Sequence, residues 1–242
     1  MTTETINAGS MYLVPVPIGN AAMEWVLPNH VLNVAKHLDV YIAENAKSAR
    51  AFLKLIQSSK PLQEITVLQL NKHGSNQQLI KDVFTDFLSN GVDVGLVSES
   101  GMPSIADPGS EVVRMAHAAG YDVRPLVGPS SLLLALSASG LNGQKFTFHG
   151  YLPKEKSERK NLLKELESHI RKTGTTHLFI ETPYRNEQLF SELIAVLTGE
   201  TRLCIAADIT GPHQFIKTLG IDAWRKSPKK DLTDIPTVFL IG

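Results

Sequence analysis

Four turns rich in glycine and proline hold most of the residues whose types and spacing suggest chemistry. They are the first loop (residues 15–20), the second loop (98–109), the third loop (128–131) and the fourth loop (181–185). Glycine lets a backbone approach a ligand closely, and proline keeps a loop rigid. An ordinary turn is the alternative for any one of them, but the second loop is too long and too dense in Gly, Pro and Ser for that. The four loops therefore predict a binding cleft.

Several familiar chemistries have no support in the sequence. The phosphate loop G-x-x-x-x-G-K-[ST], the dinucleotide loop G-x-G-x-x-G, the hydrolase elbow G-x-S-x-G and the zinc motif H-E-x-x-H are all absent. The eight histidines show no metal-ligand spacing, so we expect them to be structural or solvated and predict no metal. Cys204, the one cysteine, lies in an apolar run and is expected to be a buried hydrophobic residue rather than a reactive thiol.

Alternating strand-like and helix-like runs must position these loops. Strand-like runs cover residues 11–16, 40–43, 65–70, 92–97, 145–149, 177–180, 203–208, 214–218 and 237–241. Helical spacing of apolar residues occurs over 79–88, 112–119, 131–136, 162–170 and 189–197, and Gly91 and Gly120 follow two of these helices. This order predicts a mainly parallel sheet followed by a mixed sheet. Ligands of parallel sheets bind beyond the carboxyl ends of the strands, where all four loops are predicted to lie.

Composition is consistent with an α/β protein of two domains, and the order of the elements predicts a cleft between them. The chain has 242 residues, of which 43% are hydrophobic, and 24 Lys and Arg balance 24 Asp and Glu. A large core is therefore possible, and a wholly basic nucleic-acid coat is excluded. We place the domains at residues 1–126 and 127–242. A polar start and the lack of an apolar run of roughly 20 residues predict a cytoplasmic protein without a membrane partner.

Seven segments, taken in order, resemble the tetrapyrrole methylase superfamily. The first reads Y-L-V-P-V-P-I-G-N over residues 12–20, where the ribosomal RNA small subunit methyltransferase I branch of that family has Y-I-V-P-T-P-I-G-N. The others are residues 43–47, 98–109, 127–131, 136–141, 150–154 and 181–185, which are similar to the branch patterns A-E-D-T-R, S-D-A-G-T-P-x-I-S-D-P-G, P-G-P-S-A, A-L-S-A-S-G-L, G-F-L-P-K and E-[ST]-P-[HY]-R. Each match alone is weak, but seven in the same order are strong.

The resemblance implies two α/β domains, a homodimer, and S-adenosylmethionine bound between the domains. It also implies methyl transfer to a cytidine ribose 2′-hydroxyl in ribosomal RNA of the small ribosomal subunit, a reaction that needs no metal. The cofactor-binding residues carried over by position are Pro17, Ser98, Gly101, Met102, Pro103, Ile105, Ala106, Ser131, Pro236 and Thr237.

Methyl transfer to a hydroxyl needs alignment of the reacting atoms and a group that accepts a proton. Glu44 is our first choice for this group, and a helix-terminal charge is its alternative role. Arg185 is the second catalytic candidate, as a fork that binds phosphate or as the ion-pair partner of Glu181. Asp107 is expected to cap the following helix.

A basic segment, K-E-K-S-E-R-K over residues 154–160, is a candidate RNA contact. Its four cations are Lys154, Lys156, Arg159 and Lys160. They could contact RNA phosphates, and the alternative is a solvated helix face with Glu–Lys pairs.

Departures from the family pattern affect the expected acceptor more than the expected cofactor. Asn45 replaces an acid, Glu99 replaces Asp, Ser100 replaces Ala and Met102 replaces Thr, and the chain ends at Gly242 without the C-terminal segment usual in the family. These differences favour a divergent, shorter branch. Three hypotheses remain: an RNA ribose methyltransferase, a methyltransferase acting on a small tetrapyrrole-like molecule, and a non-catalytic S-adenosylmethionine-binding module.

Overall fold

The computed structural model describes residues 7–19, 22–71, 75–228 and 230–242, so Asn20 of the first loop and His73 lie outside the described residues. The chain divides into two compact units, the first ending at Pro129 and the second beginning at Ser130. The expected domains, 1–126 and 127–242, place the division three residues earlier and stay a prediction. Within the described residues no helix is both long and apolar enough to cross a bilayer.

The first unit is built on a five-stranded parallel sheet. Its strands are β1 (Met11–Leu13), β2 (Val40–Ala43), β3 (Thr66–Gln69), β4 (Val94–Val97) and β5 (Val123–Pro125), in the order β3-β2-β4-β1-β5. Every residue of β2 and β4 is buried, as the continuous apolar runs predict for strands covered on both faces. Ala43 pairs with Val97 and Leu13 with Leu96, so the carboxyl ends of these neighbouring strands lie at the same edge.

Among the residues described in this unit, the α-helices that cover the sheet are α1 (Met23–Val26), α2 (Asn29–His37), α3 (Ala46–Leu55), α4 (Gln77–Asp86) and α5 (Ser110–Ala118). Residues of α2 and α3 share one apolar core with the sheet, and residues of α4 and α5 share another. Gly91 and Gly120 follow helical segments with φ of 79° and 80°, which confirms the predicted helix ends.

The second unit contains a mixed five-stranded sheet, as predicted. Its elements are α6 (Ser131–Ser139), β6 (Phe146–Tyr151), α7 (Lys156–Thr173), β7 (Thr176–Ile180), α8 (Asn186–Val196), β8 (Arg202–Ala207), β9 (Phe215–Gly220), α9 (Ile221–Lys226) and β10 (Thr237–Ile241). The strand order is β6-β7-β10-β8-β9. β6 and β7 run parallel, whereas β10 is antiparallel to both β7 and β8, and β9 is antiparallel to β8. Cys204 is buried in β8, and this burial raises the pKa of its thiol.

Three histidines of the second unit form a hydrogen-bonded chain. His149 Nε2 lies 2.8 Å from His177 Nδ1, and His177 Nε2 lies 3.1 Å from His169 Nδ1. His177 in the middle is 2% exposed. Burial, followed by the charges of its two neighbours, lowers the pKa of His177 to about 4. The central ring is therefore neutral at physiological pH and holds β6, β7 and α7 together through its two ring nitrogens.

We predict that His177 makes the protein sensitive to acid. Between the ordinary pKa of 6.5 and the folded value of about 4, the unfolded chain binds a proton that the folded chain does not. The contribution of this group to stability is therefore complete above the upper value and is lost as pH falls through the window, by roughly 3 kcal/mol in all. Urea unfolding at several pH values measures this loss.

His177→Phe should remove this part of the acid dependence, whereas His117→Phe at an exposed position of α5 should retain it. The same fall in the free energy of unfolding between pH 6.5 and pH 4 in both variants would contradict the assignment to His177.

Candidate active site at the carboxyl ends of the first sheet

Three loops converge where the strands of the first sheet end. Val16 N–H of the first loop donates to Gly101 O of the second loop at 3.0 Å, forming an isolated antiparallel bridge. Gly101 has φ of 72°, and a Cβ there would lie 3.1 Å from Pro129 O of the third loop. A Cβ on Gly128 would lie 2.2 Å from Pro15 Cβ. The loops can therefore approach this closely only because both positions are glycine.

The second loop adopts a strained path. Ser104 and Ala106 have φ of 68° and 61°, a region that non-glycine residues enter at a cost of about 1–3 kcal/mol each. The buried Ser98 hydroxyl donates to Gly101 O at 3.3 Å and so holds the start of the loop. Ile105 and Ala106 are exposed at its tip. Strain of this kind concentrates at ligand sites, which agrees with the predicted role of this loop.

Two carboxylates meet beside this loop. Glu44 follows β2 and Asp107 lies in the second loop, and their side chains are hydrogen-bonded to each other. Burial, then the hydrogen bond and charge of Glu44, raises the pKa of Asp107 to about 7, although a hydrogen bond from Ser98 opposes the shift. The pair therefore holds a shared proton at neutral pH and can take up or release it there.

The expectation that Asp107 caps the next helix is wrong. Helix α5 begins after Gly109, which makes no side-chain capping bond. The left-handed turns at Ser104 and Ala106 give the loop a path on which the Asp107 carboxyl contacts Glu44 instead. Sequence reasoning missed this partner because Glu44 and Asp107 are distant in the chain. The signal that could have found it is the adjacency of β2 and β4.

Two of the departures from the family pattern contact each other. Asn45 Nδ2 donates to Glu99 Oε1 at 2.9 Å, and Ser48 Oγ donates to the same oxygen at 3.2 Å. The Asn45 side chain also accepts from Lys47 N at 3.0 Å and so begins α3. Asn45 rather than Glu44 therefore occupies the capping position of α3.

The fourth loop contains an ion pair. Arg185 Nη2 lies 3.2 Å from Glu181 Oε2, and Thr182 N donates to Glu181 Oε1 at 2.8 Å. Glu181 is buried and Arg185 is partly exposed. Of the two interpretations of Arg185, its pairing with Glu181 is present in the structure, and its catalytic role stays a prediction.

The predicted RNA contact at Arg159 is wrong. Its side chain is 3% exposed and forms two bonds to Glu192, Nε to Oε2 at 2.6 Å and Nη2 to Oε1 at 2.8 Å. Its Nη1 donates to the carbonyl oxygens of Pro153 and Lys154. These bonds hold the guanidinium inside the unit, where it fixes the turn before α7. Lys154 and its neighbours Lys156 and Lys160 are exposed.

The remaining predicted cofactor contacts lie in both units. Pro17, Met102 and Pro103 belong to the converging loops of the first unit. In the second unit, Ser131 is the first residue of α6, and Pro236 and Thr237 lie at the start of β10. Their contacts with a cofactor stay predictions.

Comparison with known proteins identifies a matching family and several relatives of this chain. The family model for Tetrapyrrole (Corrin/Porphyrin) Methylases matches residues 10–222. The ribosomal RNA small subunit methyltransferase I of Vibrio cholerae is 32% identical over 211 residues, which cover 87% of this chain and 68% of that protein. The protein of the same name from Bacillus subtilis is 32% identical over 210 residues, with coverage of 86% and 67%.

Two solved structures share the fold. The methyltransferase CobJ has a TM-score of 0.58 at 15% identity and covers 97% of this chain and 94% of its own. The uroporphyrin-III-C-methyltransferase of Thermus thermophilus has a TM-score of 0.52 at 17% identity, with coverage of 97% and 92%.

The matches define the class of this protein as an S-adenosylmethionine-dependent methyltransferase. The chain belongs to the tetrapyrrole methylase family, which confirms the resemblance carried by its motifs. The loops of the first unit fit the cofactor of this class. The buried Ser104 hydroxyl has no hydrogen-bond partner among the residues described, and the next two residues, Ile105 and Ala106, are exposed.

We predict that Gly101→Ala weakens S-adenosylmethionine binding by at least about tenfold, equivalent to ~1.4 kcal/mol. The added Cβ crowds Pro129 O at 3.1 Å and Ile18 Cγ2 at 3.2 Å, so the first and third loops must move. Isothermal titration calorimetry measures the affinity.

Gly120→Ala is the matched control. Gly120 also has a positive φ, of 80°, but a Cβ there would meet no atom within 4 Å. Both variants should lose about 1–2 kcal/mol of stability through left-handed backbone strain, and Gly120→Ala should keep its affinity. Equal affinities in both folded variants would refute the placement of the cofactor on these loops.

Proposed function

We propose that this protein transfers the methyl group of S-adenosylmethionine to a cytidine ribose 2′-hydroxyl in ribosomal RNA of the small subunit. The observation that supports it most is the Glu44–Asp107 pair, which shares a proton near pH 7 beside the converging loops. A ribose hydroxyl is a poor nucleophile, and a group with a pKa near the working pH is best suited to take its proton. The relatives are named ribosomal RNA small subunit methyltransferases, which supports small-subunit ribosomal RNA as the molecule that is methylated.

The proposed mechanism assigns alignment and proton transfer to the chain. S-adenosylmethionine supplies a methyl carbon that its sulfonium already activates. The converging loops would hold the cofactor, and much of the rate gain would come from bringing the activated methyl carbon close to the acceptor oxygen. Methyl transfer would form a C–O bond and break the C–S bond, and the Glu44 carboxylate would accept the hydroxyl proton. Asp107, whose pKa is raised to about 7, would share the accepted proton through its hydrogen bond with Glu44.

The second unit contributes the other proposed contacts. Ser131, Pro236 and Thr237 are proposed to contact the cofactor, and Arg185 to orient an RNA phosphate while it remains paired with Glu181. Lys154, Lys156 and Lys160 are proposed to contact the RNA backbone. A homodimer and a cytoplasmic location belong to the same proposal.

The acceptor is tested with tritiated S-adenosylmethionine and small ribosomal subunits from cells that lack this protein. We expect label in one ribosomal RNA nucleotide, on a ribose that then resists alkaline cleavage because its 2′-oxygen is blocked. Label on a base, or transfer only to a tetrapyrrole, would overturn the proposed acceptor. Binding of the cofactor without transfer to either acceptor would favour a non-catalytic module.

The proton acceptor is tested with Glu44→Gln, which keeps the shape of the side chain and removes its charge. We expect kcat to fall about 10²–10⁴-fold, because general-base assistance is lost, with little change in cofactor affinity. Glu64→Gln, at an exposed position of the first unit, is the matched control and should keep the wild-type rate.

The pH profile gives a further readout. Wild-type kcat should rise with pH through about 7, because the shared proton leaves the pair in that range. Asp107→Asn should remove this rise of kcat with pH. A wild-type profile that is flat between about pH 6 and pH 8 would rule out this pair as the proton acceptor.

A further inference from the structure

A groove lies between helices α7 and α8 of the second unit. Its volume is about 450 Å³. Two residues of α7, Lys156 and Lys160, form one side, and Gln188, Ser191 and Ala195 of α8 contribute to the other. Lys156 and Lys160 are four residues apart, so both side chains point to the same face of α7 about one helical turn apart.

The acidic residue of this groove is already neutralised from within. Glu192 lines the groove, and both of its carboxylate oxygens accept hydrogen bonds from the buried Arg159. Gln188 Nε2 adds a third bond, to Oε1 at 3.1 Å. The hydrogen bond from Arg159 is the main reason why the pKa of Glu192 is lowered. Because Arg159 balances Glu192, the net charge of the groove comes from the two lysines.

The two lysines are available to a ligand. Both are exposed, and in the part of the chain that the structure describes neither ammonium group lies within ion-pair distance of a carboxylate, although the charge of Lys156 contributes to the lowered pKa of Glu192. No aromatic residue is among the residues that line the groove, so the groove offers no platform on which a base could stack. Its apolar surface comes from Ala195 and Val196, which suit a ribose better than a second charged group.

We propose that this groove holds two successive phosphates of the ribosomal RNA substrate, one on Lys156 and one on Lys160, with the intervening ribose against Ala195 and Val196. The inference rests on the proposed function for the identity of the RNA. The spacing of the lysines, about 5–6 Å between Cβ atoms one turn apart, suits neighbouring phosphates of one strand. Contacts of this kind position the RNA without reading its sequence.

The test compares two double variants of the full-length protein. Lys156→Gln/Lys160→Gln removes both groove charges, and Lys164→Gln/Lys172→Gln makes the same change at exposed positions of α7 outside the groove. Binding of a small-subunit ribosomal RNA transcript is measured at several KCl concentrations. Cofactor affinity and thermal unfolding are measured alongside and should match the wild type in both variants.

We expect the groove variant to bind the transcript about tenfold more weakly at low salt and to show a dependence of log K on log salt that is shallower by about 1.5, the value for two phosphates. The control variant should keep the wild-type slope. Equal slopes in the two variants would overturn the groove while leaving the proposed acceptor intact.

Two further outcomes separate the proposals. If the wild-type protein fails to bind or methylate the RNA, the proposed function falls and the groove proposal falls with it. If poly-glutamate binds the wild type through the groove lysines but the groove variant retains full RNA affinity, the groove serves an acidic protein partner and the RNA assignment is overturned.

Discussion

The close approach of three loops in the first unit depends on two glycines at which an added Cβ would crowd a neighbouring loop. Gly101 lets the second loop pair with Val16 and pass Pro129, and Gly128 lets the third loop pass Pro15. A Cβ at either position would come closer to its neighbours than ordinary packing permits. The strained turns at Ser104 and Ala106 lie in the loop that this arrangement anchors. The geometry of the proposed cofactor site therefore depends more on the two glycines, Gly101 and Gly128, than on the polar side chains of the loops.

The same sheet edge brings the carboxylates together. β2 and β4 are adjacent parallel strands whose last residues, Ala43 and Val97, are paired. The next residues along each strand therefore emerge side by side, which places Glu44 near the second loop. Burial of Asp107 then makes it costly for both carboxyl groups to be charged at once. The pKa of Asp107 near 7 thus follows first from burial and then from the hydrogen bond and charge of Glu44, which the strand register places beside it.

Local sequence patterns predicted the strands and helices well, but they predicted the side-chain partners of distant residues poorly. β10 and β2 have the predicted ends, because β-branched and apolar runs bounded by polar turns define buried strands. Helix α3 was not predicted, although Asn45 at its start is a capping residue type. Asp107 and Arg159 were assigned wrongly for one reason: each was interpreted by its neighbours in sequence, whereas its partner lies on another element. Which charge pairs with which is decided by tertiary packing, and no local pattern encodes it.

The pairing of Arg159 with Glu192 determines the charge of the groove between α7 and α8. The basic segment has four cations at residues 154–160, and sequence reasoning treated them alike. In the structure one of the four turns inward and binds Glu192, which would otherwise place an unbalanced carboxylate in the groove. A buried charge of this kind is tolerated only when it is paired. The inward arginine therefore leaves Lys156 and Lys160 as the effective charges of the surface. This chain has no net charge, so a local anion site depends on two things. One is where the basic residues lie, and the other is which acidic residues are already paired with internal cations.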